Sequence, residues 1–319
     1  MPCEPIYVAP LAPKGALLAW APRRGHLATV GAGGVIVVDA DRGGAARCLG
    51  DHGDVHELAW SPDERTLAMT AETDFTGVRG ISVEDGAPVW SHEQERERID
   101  GLRWSPDGRW IACVMLGVAV IEAATGRVGL RVDEAIDEVH WSPTGRWLLL
   151  RARSWRRDPG ELRVSAADGG ITALSLRISD DDFVGWTDLG DELLRDGADR
   201  LGTRPTRIVD PYRRTLTYTR DGALAAAEGT EHVLWIERAS GPRRIYGVPR
   251  TITAMTWSPC GDLATGCRDG GVRLVRADTE ELQLHWRSPA GERVVALAWS
   301  ADGAWLAVAT DHHAYVLPV

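Results

Sequence analysis

The chain has 319 residues, 44% of them hydrophobic, with a formal net charge of −10 and a pI of about 5.4. That charge excludes a general binder of nucleic acid or anionic membrane, since both require a basic field, and no apolar run approaches the roughly 20 residues that span a bilayer. Five cysteines, Cys3, Cys48, Cys113, Cys260 and Cys267, form no CxxC pair and read as reduced thiols; with no leader-like segment at the N-terminus, the expectation is a soluble, cytoplasmic protein.

In chain order, a lone strand at residues 6–9 comes first. A phrase then recurs: Trp20-Ala21-Pro22, Trp60-Ser61-Pro62-Asp63, Trp104-Ser105-Pro106-Asp107-Gly108, Trp141-Ser142-Pro143-Thr144-Gly145, Trp257-Ser258-Pro259-Cys260-Gly261 and Trp299-Ser300-Ala301-Asp302-Gly303. Most copies precede a short apolar run. With Trp186 and Tyr218 added, the marker aromatics are spaced by 40, 44, 37, 45, 32, 39 and 42 residues. A period of about 40 residues built on short strands is the mark of a radial array of blades. The predicted fold is all-β: a single closed β-propeller of four-stranded antiparallel blades over residues 1–319. Eight blades are predicted, with seven plus a long insertion as the alternative. After Trp299 only three strands remain, so the strand at 6–9 is expected to complete the C-terminal blade and remove two open edges. Around Tyr218 the pattern degenerates. Residues 206–210 and 215–219 read as the last strands of blade five, or the strand carrying Leu216 belongs to blade six.

Leu49-Gly50-Asp51-His52-Gly53-Asp54-Val55, leading into Leu58-Ala59-Trp60-Ser61-Pro62-Asp63, resembles the Gly-His to Trp-Ser-Pro-Asp stretch of WD40 repeats. Leu263-Ala264-Thr265-Gly266, Asp269-Gly270 and Val272-Arg273-Leu274 are similar to that family's second and third strands. The resemblance is to degenerate, bacterial-type WD40 repeats. Val38-Asp39, Ile121-Glu122 and Val275-Arg276 stand where the family ends its third strand in Trp-Asp, so its buried Ser/Thr-His-Asp-Trp network is expected to be mostly absent. The resemblance implies a rigid platform for proteins or peptides, and rarely an enzyme.

Catalytic signatures are missing: the sequence holds no GxSxG, HExxH, SxxK, P-loop or Rossmann fingerprint. His52 and His56 lie in a loop entering a strand, where rings four residues apart need not converge. His312 and His313 are neighbours on an extended chain and point apart. Neither pair is expected to hold a metal, and no cofactor is expected. Cys260 and Cys267 are expected to be buried as small hydrophobes.

The sites with most to offer lie on the predicted loop face. Four residues before the marker aromatic stand Asp100, Asp137 and Asp182, expected to form an arc of carboxylates at the channel mouth. Beside it, the long loop of blade four carries Arg153, Trp155, Arg156 and Arg157, that of blade five Arg200 and Arg204, and that of blade two Phe75. Arg and exposed Trp are hot-spot residue types. The expectation is a non-catalytic scaffold that binds a protein or peptide there as a subunit of a larger complex. The rival reading is a propeller enzyme with a metal or acidic site in the channel.

Overall fold

The computed structural model describes residues 3–11, 17–71, 77–93, 99–115, 117–133 and 136–141, then chiefly individual strands as far as residue 246, and residues 251–276 and 281–319. Every regular element among them is a β-strand, and neighbouring strands pair antiparallel. The first sheet runs Leu18–Trp20, His26–Gly31, Gly34–Asp39, Ala45–Gly50. The second runs Val55–Trp60, Thr66–Ala71, Gly77–Ser82, Pro88–Glu93, and the third Gly101–Trp104, Trp110–Val114, Val118–Glu122, Val128–Val132. Ile136–Trp141, Trp147–Ala152, Glu161–Ser165 and Thr172–Ser175 make the fourth; Asp182–Trp186 and Glu192–Arg195 are the described strands of the fifth. The sixth is Thr215–Tyr218, Leu224–Glu228, Val233–Arg238, Gly241–Tyr246, and the seventh Ile252–Trp257, Leu263–Cys267, Gly271–Val275, Leu282–Arg287. In the eighth, Val294–Trp299, Trp305–Thr310 and His313–Pro318 are completed by Tyr7–Pro10 from the start of the chain.

Two expectations about strands are thereby refined. The N-terminal strand does pair with the last strand, Tyr7 opposite Val316 and Pro10 opposite His313, one residue later than predicted. The strand carrying Leu216 opens the sixth sheet, with Leu216 opposite Ala226, so it is not the last strand of the fifth. Residues 206–210 lie outside the described residues.

The chain divides into two compact units, Met1–Cys48 with Asp196–Val319, and Leu49–Arg195. In each, sheets stack in series with apolar side chains between them. In the first unit, Trp257, Leu263 and Val275 form one layer; Val272, Trp286, Val308 and Tyr315 form the next; Leu27, Val38, Ala307 and Val316 form a third. In the second unit, Val78, Leu102, Ile111 and Ile121 fill one layer and Trp110, Val120, Val139 and Leu148 the next.

The first strand of a sheet departs from plain alternation. Its core residues fall five, two and none before the corner Trp: Val55, Leu58, Trp60; Ile99, Leu102, Trp104; Ile136, Val139, Trp141; Ile252, Met255, Trp257; Val294, Leu297, Trp299. Residues on one face of a strand are spaced by two, so the interval of three needs an extra residue. The register slips between Val55 and Glu57, Ile136 and Glu138, Ile252 and Ala254, and Val294 and Ala296. The resulting β-bulge returns the β-branched residue to the core face. Val55, Ile99, Ile136, Ile252 and Val294 are all buried.

The repeated phrase ties the third, fourth, eighth and first sheets each to a neighbouring sheet. The corner indole N–H donates to the backbone oxygen just ahead of the previous corner Trp: Trp104 to Ala59 (3.0 Å), Trp141 to Arg103 (3.0 Å), Trp299 to Thr256 (3.1 Å) and Trp20 to Ala298 (2.8 Å). The serine hydroxyl donates to the aspartate two residues on, in Ser61–Asp63, Ser105–Asp107 and Ser300–Asp302. It also accepts the N–H that opens the second strand, from Thr66, Trp110 and Trp305. Gly108 rests on Pro62 of the preceding turn, and Gly145 on Pro106.

Candidate interaction surface

At one end of a sheet the first strand begins, the second strand turns into the third, and the link from the previous sheet arrives. These parts are tied together where the seventh and eighth sheets meet. Ser288 N–H donates to Gly270 O (2.9 Å), Arg268 N–H to Thr251 O (2.9 Å) and Asp311 N–H to Arg293 O (3.1 Å).

The three aspartates expected to form the acidic arc stand differently in their strands. Asp100 is exposed, and its N–H donates to Val114 O (2.7 Å), the residue opposite Gly101. Asp137 occupies the bulge of its strand, in the place that His56, Thr253 and Val295 hold in theirs. Asp182 differs. It is ladder-paired with Arg195, and its strand slips later, between Phe183 and Gly185, so three equivalent positions do not result. Phe75, Arg153, Trp155, Arg156, Arg157, Arg200 and Arg204 lie outside the described residues.

His52 and His313 are held by contacts of their local turns. His52 Nε2 lies 3.2 Å from Leu49 O, while Asp51 accepts Gly53 N–H at 3.0 Å. His313 Nδ1 faces both Glu292 oxygens, at 2.9 and 3.1 Å, while His312 is exposed. Of the cysteines, Cys113 and Cys267 are buried, and Cys260 is exposed rather than buried. Burial holds the Cys113 thiol far above its ordinary value and pushes Cys267 up to about 11.

Sequence reasoning missed two polar clusters. In the seventh sheet, Asp269 accepts Gly271 N–H (3.0 Å) and takes Arg273 through Nη1 and Nη2 (3.5 and 3.1 Å). Arg287 Nη2 reaches the same carboxylate at 3.4 Å. Burial works against the charge on Asp269, but the Arg273 and Gly271 donors and the two guanidinium charges hold its carboxyl below the usual range. In the eighth sheet, Glu292 accepts from the Thr310 hydroxyl and from His313. Burial again opposes ionisation, and these two donors overcome it. The signal was present in Asp269-Gly270 and in Thr310 to His313. What hid it was the search for Trp-Asp at the end of the third strand.

A family model described as WD domain, G-beta repeat matches residues 243–275 and 281–316. Each match begins in the fourth strand of one sheet and runs through the first three of the next, so one sequence repeat staples two sheets. No curated protein matches the chain. Among solved structures, the C-terminal WD40 domain of Sif2 is similar at 14% identity and TM-score 0.70, over 100% of this chain and 98% of that one. The Dos1 propeller is similar at 11% identity and TM-score 0.67, over 99% and 95%. A chain of the mitotic checkpoint complex is similar at 15% identity and TM-score 0.57, over 99% and 92%. With its repeated Trp-Ser corners and these likenesses, the chain has a β-propeller fold similar to that of WD40 domains.

Proposed function

We propose that this protein is a non-catalytic, cytoplasmic scaffold, one eight-bladed domain over residues 1–319, that binds a protein or peptide partner on its loop face as a subunit of a larger complex. The observation that carries the reading is the fold itself: WD40 propellers serve in general as interaction platforms, and a similar chain stands in a mitotic checkpoint complex. Fold alone does not fix function, so the site rests on residue chemistry. Trp155, Arg153, Arg156 and Arg157, with Arg200 and Arg204, offer the aromatic and guanidinium groups that dominate interfaces, and Phe75 adds a second aromatic on a third loop. Asp100, Asp137 and Asp182 supply carboxylates for a basic tip. Eight sheets in chain series, the last completed by the first strand, support the eight-bladed ring. The test is co-purification from the source cell followed by titration of the isolated partner. Replacing Trp155 and Arg156 by Ala should weaken it at least about tenfold, the scale of hot-spot truncation. Unchanged affinity would remove the interface from this face.

A further inference from the structure

Arg273 sits in the third strand of the seventh sheet, opposite Thr265 and Leu284, with its side chain only 5% exposed. A buried guanidinium is tolerable only when a carboxylate meets it in good geometry. Asp269 does so with both oxygens and also caps its own turn through Gly271 N–H. Arg287 then joins a carboxylate already in use. Its Nη2 reaches one oxygen at 3.4 Å, and its side chain is 52% exposed. Two arginines share one aspartate, so the cluster carries one uncompensated positive charge, and the exposed member of the cluster presents it. Arg268, on the same turn as Asp269, is exposed beside it. Arg293, in the following link, is by contrast matched by Asp311 at 2.8 and 3.2 Å. The end of the seventh sheet is thus locally cationic in a chain of net charge −10.

We infer that this end of the seventh sheet captures an acidic segment of a protein partner, with Arg287 as the carboxylate anchor and Arg268 beside it. Arginine has five N–H donors in a planar fork that matches a carboxylate. Asp269 engages Arg287 through Nη2 alone, at 3.4 Å, which restrains the side chain before a ligand arrives and so reduces the freedom lost on binding. Arg268 and Arg287 are not among the loop residues of the proposed partner site, so different variants test the two readings.

The test uses the full chain and a fluorescein-labelled peptide of alternating Glu and Gly, read by fluorescence anisotropy at low salt. Saturable binding is expected, weakened about tenfold in Arg287→Ala, the loss that removal of one charge-assisted pair produces. Arg268→Ala should weaken it less, and Arg287→Lys should retain part of it. Arg109→Ala, at a turn at the other end of its own sheet, should leave it unchanged. Arg287→Ala spares the Arg273–Asp269 pair, so its melting temperature should match that of the wild type. Should it unfold, Arg268→Ala carries the comparison. Absence of saturable binding to the intact protein, equal loss in Arg109→Ala, or equal binding of a Lys–Gly peptide would overturn the proposal. So would inorganic phosphate binding in place of the Glu peptide, which would assign the arginines to phosphate.

Discussion

Ser105 is fully buried, and its hydroxyl both donates to Asp107 (2.5 Å) and accepts Trp110 N–H (2.9 Å). Ala at this position leaves the buried Trp110 N–H without its acceptor and takes one donor from the Asp107 carboxylate, which keeps Arg109 N–H. Ser105→Ala should therefore lose about 1–2 kcal/mol, the range for an orphaned buried group, read as a fall in denaturation midpoint at constant slope. A loss indistinguishable from zero would mean that the turn holds without its serine. In the eighth sheet the same arrangement predicts a pH dependence. The Ser300 hydroxyl, then Ala304 N–H, hold the Asp302 carboxyl below its ordinary 3.8. A carboxyl lowered in the folded state stabilises it above the unfolded value, and that contribution fades as pH falls through the folded value. Asp302→Asn should melt below wild type at neutral pH, and the gap should narrow as the pH drops below 3.8. A gap that is the same at all pH values would show that the charge contributes nothing. In the seventh sheet Cys260 occupies the aspartate position. There Ser258 takes Asp262 N–H, one residue earlier than in the other sheets. The serine turns were thus visible in the sequence as a spelling, while this tightening was not, because it depends on a hydrogen bond that the Cys thiol does not supply.

The first strands show what pattern reading captures and where it stops. Their apolar residues were readable as strand and core, yet alternation alone puts the residue four before the corner Trp on the wrong footing. The interval of three in Val55-x-x-Leu58 or Ile136-x-x-Val139 is the trace of the bulge. Counting it would have separated Asp137, a bulge residue, from the ladder-paired Asp182. The predicted basic loops rest on composition alone, since a surface loop carries no periodicity that fixes its path. Turns between third and fourth strands give a sharper test. Gly43 and Gly44 adopt φ of +69° and +81° in one turn; a Cβ on Gly43 would meet nothing within 4 Å, whereas one on Gly44 would lie 2.3 Å from Ile6 O. Gly43→Ala should cost only the left-handed backbone penalty, about 1–2 kcal/mol. Gly44→Ala should cost clearly more, because it must also push the N-terminal segment away. Equal melting temperatures for the two variants would mean that the N-terminal segment does not rest on this turn.

Across the molecule, the first and last sheets meet through several kinds of contact. Trp20 donates to Ala298 O and Trp305 to Asp41 Oδ1, Gly44 lies on Ile6 O, and Tyr7–Pro10 completes the eighth sheet. Removing residues 1–10 strips the outer strand from Val316 and Ala314, both buried, and frees the half-buried Ile6 and Tyr7. The loss should be about 3 kcal/mol, on the scale of 1.5–3 kcal/mol per large apolar side chain. A truncated protein that melts within a degree of wild type would exclude the strand from the sheet. Trp20→Phe keeps the ring and loses the indole N–H, so it should cost about 1 kcal/mol, measured by chemical denaturation; no loss would make the bond to Ala298 incidental. That sheet was legible in advance because three strands at one end and one at the other leave a single way to cover both edges. The partner was not, since a propeller's loops vary independently of its blades. The same pairing sets an order of events at the ribosome. Tyr7–Pro10 emerges about 300 residues ahead of its partner His313–Pro318, a separation whose closure entropy must be met before any contact rewards it. The eighth sheet therefore forms only after its own third strand has left the exit tunnel. Until then Tyr7–Pro10 stays without its partner strand, open to capture by chaperones or by another chain's sheet edge.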